Sequence, residues 1–330
     1  MTTRADVAKL AGVSESTVSY VLSGKRPISE ETRKRVHAAI GKSGYKSNYA
    51  AAALAGGTPR LVTMMISNLF NDPGSRLIGT LVQGVVDGVN ELGFHSVIWP
   101  VTEDEDSDTE LLLKTNISGG VILMNVSNND QRVHLLHREK VPFVVLGRTD
   151  VGFKYNFVDR NFEERDKIAL QELKNLGHID VGVMNYEEKV RPHLRKIAKS
   201  LGVKLHIIPT INTVEGGAEV ARIIAKNFPE VSAIISMLDL ATLGFVESAS
   251  SCGISIPEQI SIIGLNMLET QAESVRPQVT TVAFEAYEMA KSCGKLVVEA
   301  ISGDKSDQPR EELWTGDLVL RGTLAQARRK

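Results

Sequence analysis

Apolar residues recur at helical spacing in two short stretches near the N-terminus, residues 4–11 and 15–23. The apolar face of the first stretch consists of Val7, Ala8, Leu10 and Ala11, at the i, i+3 and i+4 positions of an amphipathic helix. In the second stretch, Val18, Val21 and Leu22 form the apolar stripe. Gly12 lies between them as a helix C-cap, and Ser14 is suited to cap the second helix. The pattern therefore predicts two short amphipathic helices joined by a glycine-containing turn.

Two such helices make a helix-turn-helix, and the outward side chains of the second are polar. They are Glu15, Ser16, Ser19 and Tyr20. Hydroxyl groups suit contacts with phosphates and base edges, so this face favours DNA binding. An ordinary helical hairpin inside a core is the alternative. A third helix is predicted from the cap at Ser29 to Gly44.

Beyond residue 60 the pattern changes to short apolar runs separated by longer helical stretches. The first series of runs covers residues 61–67, 94–99, 119–126 and 142–147. The second series covers residues 181–185, 205–210, 232–237 and 260–265. Strands that alternate with helices predict parallel sheets covered on both faces. Two series predict two α/β subdomains.

Composition and charge add two points. With 42% apolar and 24% charged residues, the chain of 330 residues is ordinary for a soluble globular protein. It has neither an apolar run near the roughly 20 residues of a membrane span nor a signal peptide, so we expect no membrane partner and a cytoplasmic, nucleoid-associated location. Residues 1–60 carry a balance of +6, whereas the rest carries −8. A basic head on an acidic body suggests that only the head meets a polyanion.

The strings DVAKLAGVSESTVSYVLS and ISEETRKRVHAAI resemble the head of lactose-repressor (LacI) family transcription regulators. The resemblance covers nearly all of residues 2–58. It implies a DNA-binding domain at 1–46, a hinge helix and linker at 47–60, and an effector-binding and dimerisation domain at 61–330. It places the second helix in the major groove, where Glu15, Ser16 and Tyr20 would read bases.

The resemblance also implies contacts that position the head on DNA. The positions that match backbone or phosphate contacts are Thr3, Ser14, Thr17, Ser19, Ser23, Ser29 and Tyr45. Asn48 is a further DNA-binding candidate. The hinge, SNYAAAALAGGTPR, is rich in alanine but too short to be helical alone in water. We expect it to become helical when paired with its copy on DNA, with Leu54 inserted into the minor groove as a wedge. An alanine-rich linker without a wedge is the alternative.

The body resembles the periplasmic-binding-protein-like part of the same family through LKNLGH, IPEQISIIGL, RPQVTTV and LVLRGT. The resemblance implies crossovers near residues 147–161, 265–285 and 316–322, with a ligand in the cleft between subdomains. The effector-binding candidates are Arg148, Arg191, Asp239, Asn266 and Phe284. Surface charges or interdomain structural bonds are the alternative roles.

The chain departs from the family at several positions. NDPGSRLI replaces the usual Asn-Pro-Phe-Phe after the first strand, Gly147 replaces an aspartate, and Asn266-Met267 replaces an Asp-Asp pair. Tyr20, Ser47 and Ala52 replace a common arginine, proline and arginine. Loss of a buried carboxylate that accepts from a sugar diol is costly for a sugar binder, so a plain hexose is a less favoured effector. An effector of another kind, or none, remains open.

The prediction is therefore a two-part protein: an all-α helix-turn-helix head and an α/β two-subdomain body. We expect a transcription regulator, most simply a repressor, that binds a pseudo-palindromic operator as a homodimer under control of a small molecule. A solute-binding module and a sugar-modifying enzyme are the alternatives. The first would need a signal peptide, and the second lacks a GxSxG, Walker or Rossmann motif. No metal site or cofactor is predicted.

Overall fold

The computed structural model describes residues 2–23, 26–45, 59–67, 76–102, 104–187, 191–303 and 308–328. Backbone contacts divide the chain into two units, residues 1–61 with 111–119 and residues 62–110 with 120–330. The head contains three helices. They are α1 (Arg4–Ala11), α2 (Glu15–Ser23) and α3 (Glu30–Ser43).

The three helices of the head begin and end at the residues that the sequence indicated. Thr3 caps α1 in a capping box with Asp6, and Gly12 ends it in the left-handed conformation at φ 64°. Ser29 caps α3, which ends at Gly44, also at φ 64°. Only glycine adopts this conformation without steric cost, so both helices stop where the sequence predicted.

The core of the head is small and made mainly of short side chains. Its buried members are Val7, Ala8, Ala11, Val18, Val36 and Ala39. The prediction that Leu10 belongs to the buried apolar face is wrong, because the exposed fraction of this residue is 59%. It directly precedes Ala11 at the end of a two-turn helix, on the side that neither α2 nor α3 covers. Val21 is half-buried against the core, and the side chain of Leu22 lies outside the described residues.

The body contains two six-stranded sheets. The first sheet has the order β11-β5-β4-β3-β1-β2 and the second β12-β10-β9-β8-β6-β7. The strands of the first are β1 (Leu61–Ser67), β2 (His95–Val101), β3 (Gly120–Met124), β4 (Phe143–Leu146), β5 (Phe157–Arg160) and β11 (Glu311–Trp314). The strands of the second are β6 (Asp180–Asn185), β7 (Lys204–Pro209), β8 (Ala233–Ser236), β9 (Ser261–Gly264), β10 (Thr280–Ala283) and β12 (Asp317–Val319).

Eight of these strands coincide with the predicted apolar runs, and their described pairings are parallel. The exception to parallel pairing is β12, which runs antiparallel to β10 at the sheet edge. Four strands were not predicted, because they lie in or beside the proposed crossovers. The chain leaves the first sheet after β5, returns after β10 and crosses again between β11 and β12. These passages fall in or next to the three predicted ranges.

Helices cover both sheets. They are α4 (Arg76–Glu91), α5 (Glu105–Thr115), α6 (Gln131–Arg138), α7 (Phe162–Asn175), α8 (Pro192–Leu201), α9 (Val214–Asn227), α10 (Asp239–Ala249), α11 (Glu269–Ala272) and α12 (Ala286–Ser302). Helices α4 and α12 cross closely, because a Cβ at Gly84 or Gly88 would collide with a backbone carbonyl of α12. This close crossing fixes α12, which supplies one wall of the cleft.

Candidate DNA interface and effector cleft

The outward face of α2 presents the predicted base-reading residues to different extents. Glu15 and Ser16 are exposed, whereas Ser19 and Tyr20 are half-buried. The guanidinium of Arg26 lies 5.0 Å from the centre of the Tyr20 ring, and Arg4 donates to the Ser19 hydroxyl at 3.5 Å. The face therefore combines a carboxylate, hydroxyls and two cations within one helix and its neighbours.

Several hydroxyls that the family resemblance assigns to phosphate contacts also cap helices. Ser14 Oγ accepts from the Thr17 amide at 3.1 Å and bonds the Thr17 hydroxyl at 2.8 Å. Ser29 Oγ accepts from the Thr32 amide at 3.3 Å. An N-terminal cap leaves other backbone N–H groups of the first turn free to face a phosphate, so the two roles are compatible.

Other predicted contacts are less accessible or lie outside the described residues. Tyr45 is half-buried against the core of the head. Thr3 is occupied by its capping box with Asp6. The side chain of Ser23, together with Asn48 and Leu54, lies outside the described residues.

The positive charge of the head is on its surface. The exposed cations are Lys9, Arg26, Arg33, Lys34, Arg35 and Lys42. The one described ion pair among them joins Arg33 to Glu30 at 3.7 Å, with side chains that are 49% and 69% exposed. Exposed charges of this kind interact with a polyanion mainly by releasing its counterions.

The body contains a cavity of about 760 Å³ at the carboxyl ends of the strands. Residues after β3 and β4 line one side, among them Asn125, Ser127 and Arg148. Leu77 of α4 and Met289 of α12 supply apolar wall. Arg160, Phe162 and Arg191 complete the lining from the crossover and the second subdomain. A cavity of this size accommodates a small molecule.

Three guanidinium groups surround the ring of Phe162. Their central carbons lie 4.8 Å (Arg160), 4.9 Å (Arg165) and 3.6 Å (Arg191) from the ring centre. Arg160 also lies 4.5 Å from the centre of the Phe284 ring. Aromatic faces attract cations, which allows these like charges to share a confined space.

The carboxylates near this cluster are already paired. Asp159 accepts from Arg148 at 2.8 Å. Asp166 is buried, and it accepts from Arg165 at 2.6 Å and from His193 at 2.9 Å. Both carboxylates also attract Arg160 and Arg191 at longer range, but their described ion pairs are with Arg148, Arg165 and His193.

Asn266 joins the cluster from the end of β9. Its Oδ1 accepts from Arg160 at 2.9 Å and from Arg165 at 3.0 Å, and its Nδ2 donates to the Met237 carbonyl at 2.7 Å. A neutral amide thus links residues from both subdomains. The aspartate that the family commonly has here would have added negative charge beside both arginines.

Asp239 lies elsewhere. It begins α10, is buried, and accepts from Asn212 and Gln271, each at 2.7 Å. It does not line the cavity. Of the five predicted effector contacts, Arg148 and Arg191 line the cavity, while Asn266 and Phe284 contact Arg160 behind it.

Burial changes the acid–base behaviour of two arginines. Desolvation and then the like charge of Arg165 lower the pKa of Arg160 to about 9. Desolvation followed by the charge of Arg165 also lowers the pKa of Arg191. Arg160 therefore remains charged at neutral pH.

Arg160, Phe162 and Arg165 were not among the predicted site residues. They stand together in VDRNFEERD, directly after the crossover strand β5. The available signal was an arginine that follows an apolar strand at the cleft edge. The described residues contain no cluster of three or more metal-ligating side chains, and none of the described helices is long and apolar enough to span a membrane.

A helix-turn-helix head joined in one chain to a two-subdomain body with a ligand-sized cleft defines a DNA-binding transcription regulator. Residues 3–48 match the family described as "Bacterial regulatory proteins, lacI family", and residues 170–324 match the periplasmic binding protein-like domain. The chain therefore contains a lacI-family DNA-binding domain and a periplasmic binding protein-like domain. The predicted resemblance and fold class are confirmed.

Full-length relatives and solved structures are similar to the whole chain. The transcriptional regulator MalR of Streptomyces coelicolor is 26% identical over 99% of this chain and 98% of its own length. Catabolite control protein A of Staphylococcus aureus is 27% identical over 92% of this chain and 94% of its own. The lac repressor dimer bound to operator and an anti-inducer is similar in fold, with a TM-score of 0.79 at 19% identity over 98% and 99% of the two chains. A complex of the regulator CelR with cellobiose has a TM-score of 0.70 at 24% identity over 98% and 100%.

Proposed function

We propose that this chain is a repressor that binds a pseudo-palindromic operator as a homodimer. In this proposal residues 1–46 form the reading head, 47–60 the hinge, and 61–330 the part that dimerises and binds an effector. The protein works in the cytoplasm, where its DNA is, and has no enzymatic activity. The observation that carries the proposal is the polar face of α2 in a three-helix head, where Glu15 and Ser16 are exposed and cations lie beside the face.

Base reading is assigned to Glu15, Ser16 and Tyr20. A glutamate accepts a hydrogen bond from the amino group of cytosine, and a hydroxyl serves several base edges. The hydroxyls near the first turns of α1, α2 and α3 and the backbone N–H groups beside them position the head on phosphates. Two heads related by a twofold axis require two half-sites in inverted orientation.

Control by a small molecule is proposed for the cleft. Related structures contain an anti-inducer or cellobiose, so small-molecule binding by such a body is supported by analogy. Closing the cleft shifts one subdomain against the other and changes whether the two hinges pair in the minor groove. Such coupling between effector and operator is typically worth about 1–3 kcal/mol.

The direct test is selection of bound sequences from random DNA, followed by a gel shift with the selected site. We expect an inverted repeat and a shifted species that contains two protein chains. Absence of any sequence preference, with and without a panel of metabolites, would contradict the proposal.

Tyr20→Arg tests the reading role. It should alter the selected sequence more than the overall affinity, because the side chain faces the bases and not the phosphates. Lys42→Gln, an exposed cation at the end of α3, is the matched control and should leave the selected sequence unchanged. An unchanged preference in the Tyr20 variant would remove it from the readers.

Leu54→Ala tests the proposed wedge in the hinge. It should weaken operator binding and reduce the bend in the DNA while the dimer stays intact, because an inserted side chain pays for unstacking with extra contacts. Equal affinity and equal bend angle in the variant would rule out the wedge.

A further inference from the structure

Arg160 is a half-buried cation in the cavity wall, and it forms no described ion pair. Among the described residues, no carboxylate lies within ion-pair distance of its guanidinium. It donates one hydrogen bond to Asn266 and lies against the faces of Phe162 and Phe284. A guanidinium has five N–H donors, so most of its hydrogen-bonding capacity is unused.

Arg191 is a second cation without a described ion pair, and it is exposed at the cavity. Its guanidinium carbon lies 3.6 Å from the centre of the Phe162 ring. It is the N-cap residue of α8 and makes no side-chain capping bond there. Both arginines line the cavity, and both approach the same aromatic ring.

The charges in the cavity wall do not cancel these two cations. Asp159 is occupied by Arg148, and Asp166 by Arg165 and His193. Asp150 also lines the cavity, but it is exposed at the rim and forms no described ion pair. Asp159 and Asp166 attract both arginines, but no described hydrogen bond or ion pair joins them, so donors of Arg160 and Arg191 stay available to a ligand in the cavity.

We propose that the effector is a small anion, bearing a phosphate or carboxylate group, that binds between Arg160 and Arg191 in this cleft. Guanidinium groups bind both kinds of oxyanion through paired N–H donors. The neutral polar side chains of Asn125 and Ser127 and the apolar residues Leu77 and Met289 would then contact the uncharged part of the ligand. The inference rests on the proposed role of the cleft as an effector site and adds the ligand's charge.

The experiment measures thermal unfolding and calorimetric binding of the whole chain at constant ionic strength. The probes are inorganic phosphate and glucose 6-phosphate for the phosphate class, citrate for the carboxylate class, and glucose and chloride as controls. We expect one anionic class to raise the melting temperature clearly above the chloride reference, and glucose to leave it unchanged. The class that responds identifies the oxyanion.

Two variants and one control assign the effect to the cleft. Arg160→Met and Arg191→Gln should each weaken binding of the responding anion by at least about tenfold, because each removes charge-assisted hydrogen bonds. Arg195→Gln, an exposed arginine one turn into α8 and outside the cavity wall, should leave the affinity within about twofold.

The unliganded Arg160→Met protein separates a binding role from a structural one. If Arg160 is held there for an anion, its removal relieves an unpaired charge, and the melting temperature of the unliganded protein should stay equal or rise. Asn266 keeps its bond from Arg165 in this variant. A clear drop in melting temperature would instead assign Arg160 to holding the subdomains.

Two outcomes overturn the inference. One is that no anion stabilises the chain beyond chloride, and the other is that glucose stabilises it as well as glucose 6-phosphate does. Operator binding in the gel shift without any ligand is unaffected by either outcome, so the proposed DNA-binding function would stand. Loss of sequence-specific DNA binding would remove the proposed function while leaving anion binding in the cleft measurable.

Discussion

The head and the cleft are both cationic, but their charges stand in different surroundings. The cations of the head are exposed and surrounded by water and salt. Of the unpaired arginines of the cleft, Arg160 is half-buried and Arg191 is exposed, and both lie against the ring of Phe162. Exposed charges are screened by salt over about a Debye length, whereas charges partly withdrawn from water are screened less. In the functions proposed above, the same residue type meets a polyanion at one place and a single small anion at the other.

Surroundings also decide selectivity. In the proposed function of the head, many weak charge contacts add up along the DNA, and sequence is read by the few side chains of α2 that reach base edges. In the proposed anion site, a half-buried guanidinium with unused donors discriminates against a ligand that lacks matching acceptors. On these proposals, charge in the head supplies affinity, whereas charge in the cleft supplies selectivity.

Salt is the strongest way to test the comparison. Raising salt from 50 to 200 mM should weaken operator binding about 10³-fold or more if some six phosphates are neutralised per complex. Over the same range, binding of the responding anion in the cleft should weaken by less than about tenfold. Both affinities are measured on one preparation, by gel shift and by calorimetry. Parallel salt dependence of the two would contradict the contrast.

The sequence predicted the head well because its signals are local. Caps at Ser14 and Ser29, stops at Gly12 and Gly44 and the apolar spacing of each helix all act within a few residues. The central strands were predictable for a related reason, since strands buried on both faces are continuous apolar runs. The prediction for Leu10 was wrong because the spacing of apolar residues shows which face of a helix they share. It does not show how far the neighbouring helices cover that face.

The cleft was only partly predictable because it is assembled from distant positions. Arg160, Arg191 and Asn266 are far apart in the sequence, and the ends of three different strands bring them together. Nothing local distinguishes Arg160 from a surface arginine after a strand. Asp239 shows the opposite error, because its place after a strand suggested a ligand contact, yet two amides occupy its carboxylate.

Ser14 tests whether the polar groups of the head serve the fold or the DNA. Ser14→Ala removes the acceptor for the Thr17 amide and should destabilise the head by about 1 kcal/mol. Ser14→Asp keeps a capping acceptor but adds a negative charge, so it should fold as well as the wild type and still bind operator about tenfold more weakly. Circular dichroism and gel shifts measure the two effects. Full operator affinity in Ser14→Asp would limit Ser14 to capping.

A substitution at Asp159 tests how the paired charges of the cleft affect anion binding. Asp159→Asn removes the partner of Arg148 and leaves a third unpaired guanidinium at the cavity, so anion affinity should rise about fivefold. Asp150→Asn at the exposed rim is the matched control and should change it by less than about twofold. Calorimetry with the responding anion measures both variants. Weaker binding in Asp159→Asn would show that Arg148 must be held by Asp159 before the ligand is bound.

The smallest expected effect is a pH dependence of stability in the body that the head does not share. His178 is buried in the body, with its ring nitrogens bonded to the Ser232 hydroxyl at 2.9 Å and the Ala325 carbonyl at 3.0 Å. Desolvation lowers the pKa of His178 below its usual 6.5, although the bond to Ala325 opposes the shift. Protonation is therefore easier in the unfolded chain, so this contribution to stability is complete above pH 6.5 and decreases as the pH falls below it.

Substitutions of His178 and of a control histidine test this pH dependence. The free energy of unfolding of the body should decrease between pH 6.5 and 5, and His178→Gln should remove part of that slope while costing about 1 kcal/mol at pH 7.5 for the lost hydrogen bond. The histidine of the head, His37, is exposed, so His37→Gln is the control and should leave the slope unchanged. Denaturant titrations at several pH values give the slopes. If the free energy of unfolding had the same slope against pH in the wild type and in His178→Gln, the acid sensitivity would belong to other groups. The head and the body would then differ only in their response to salt.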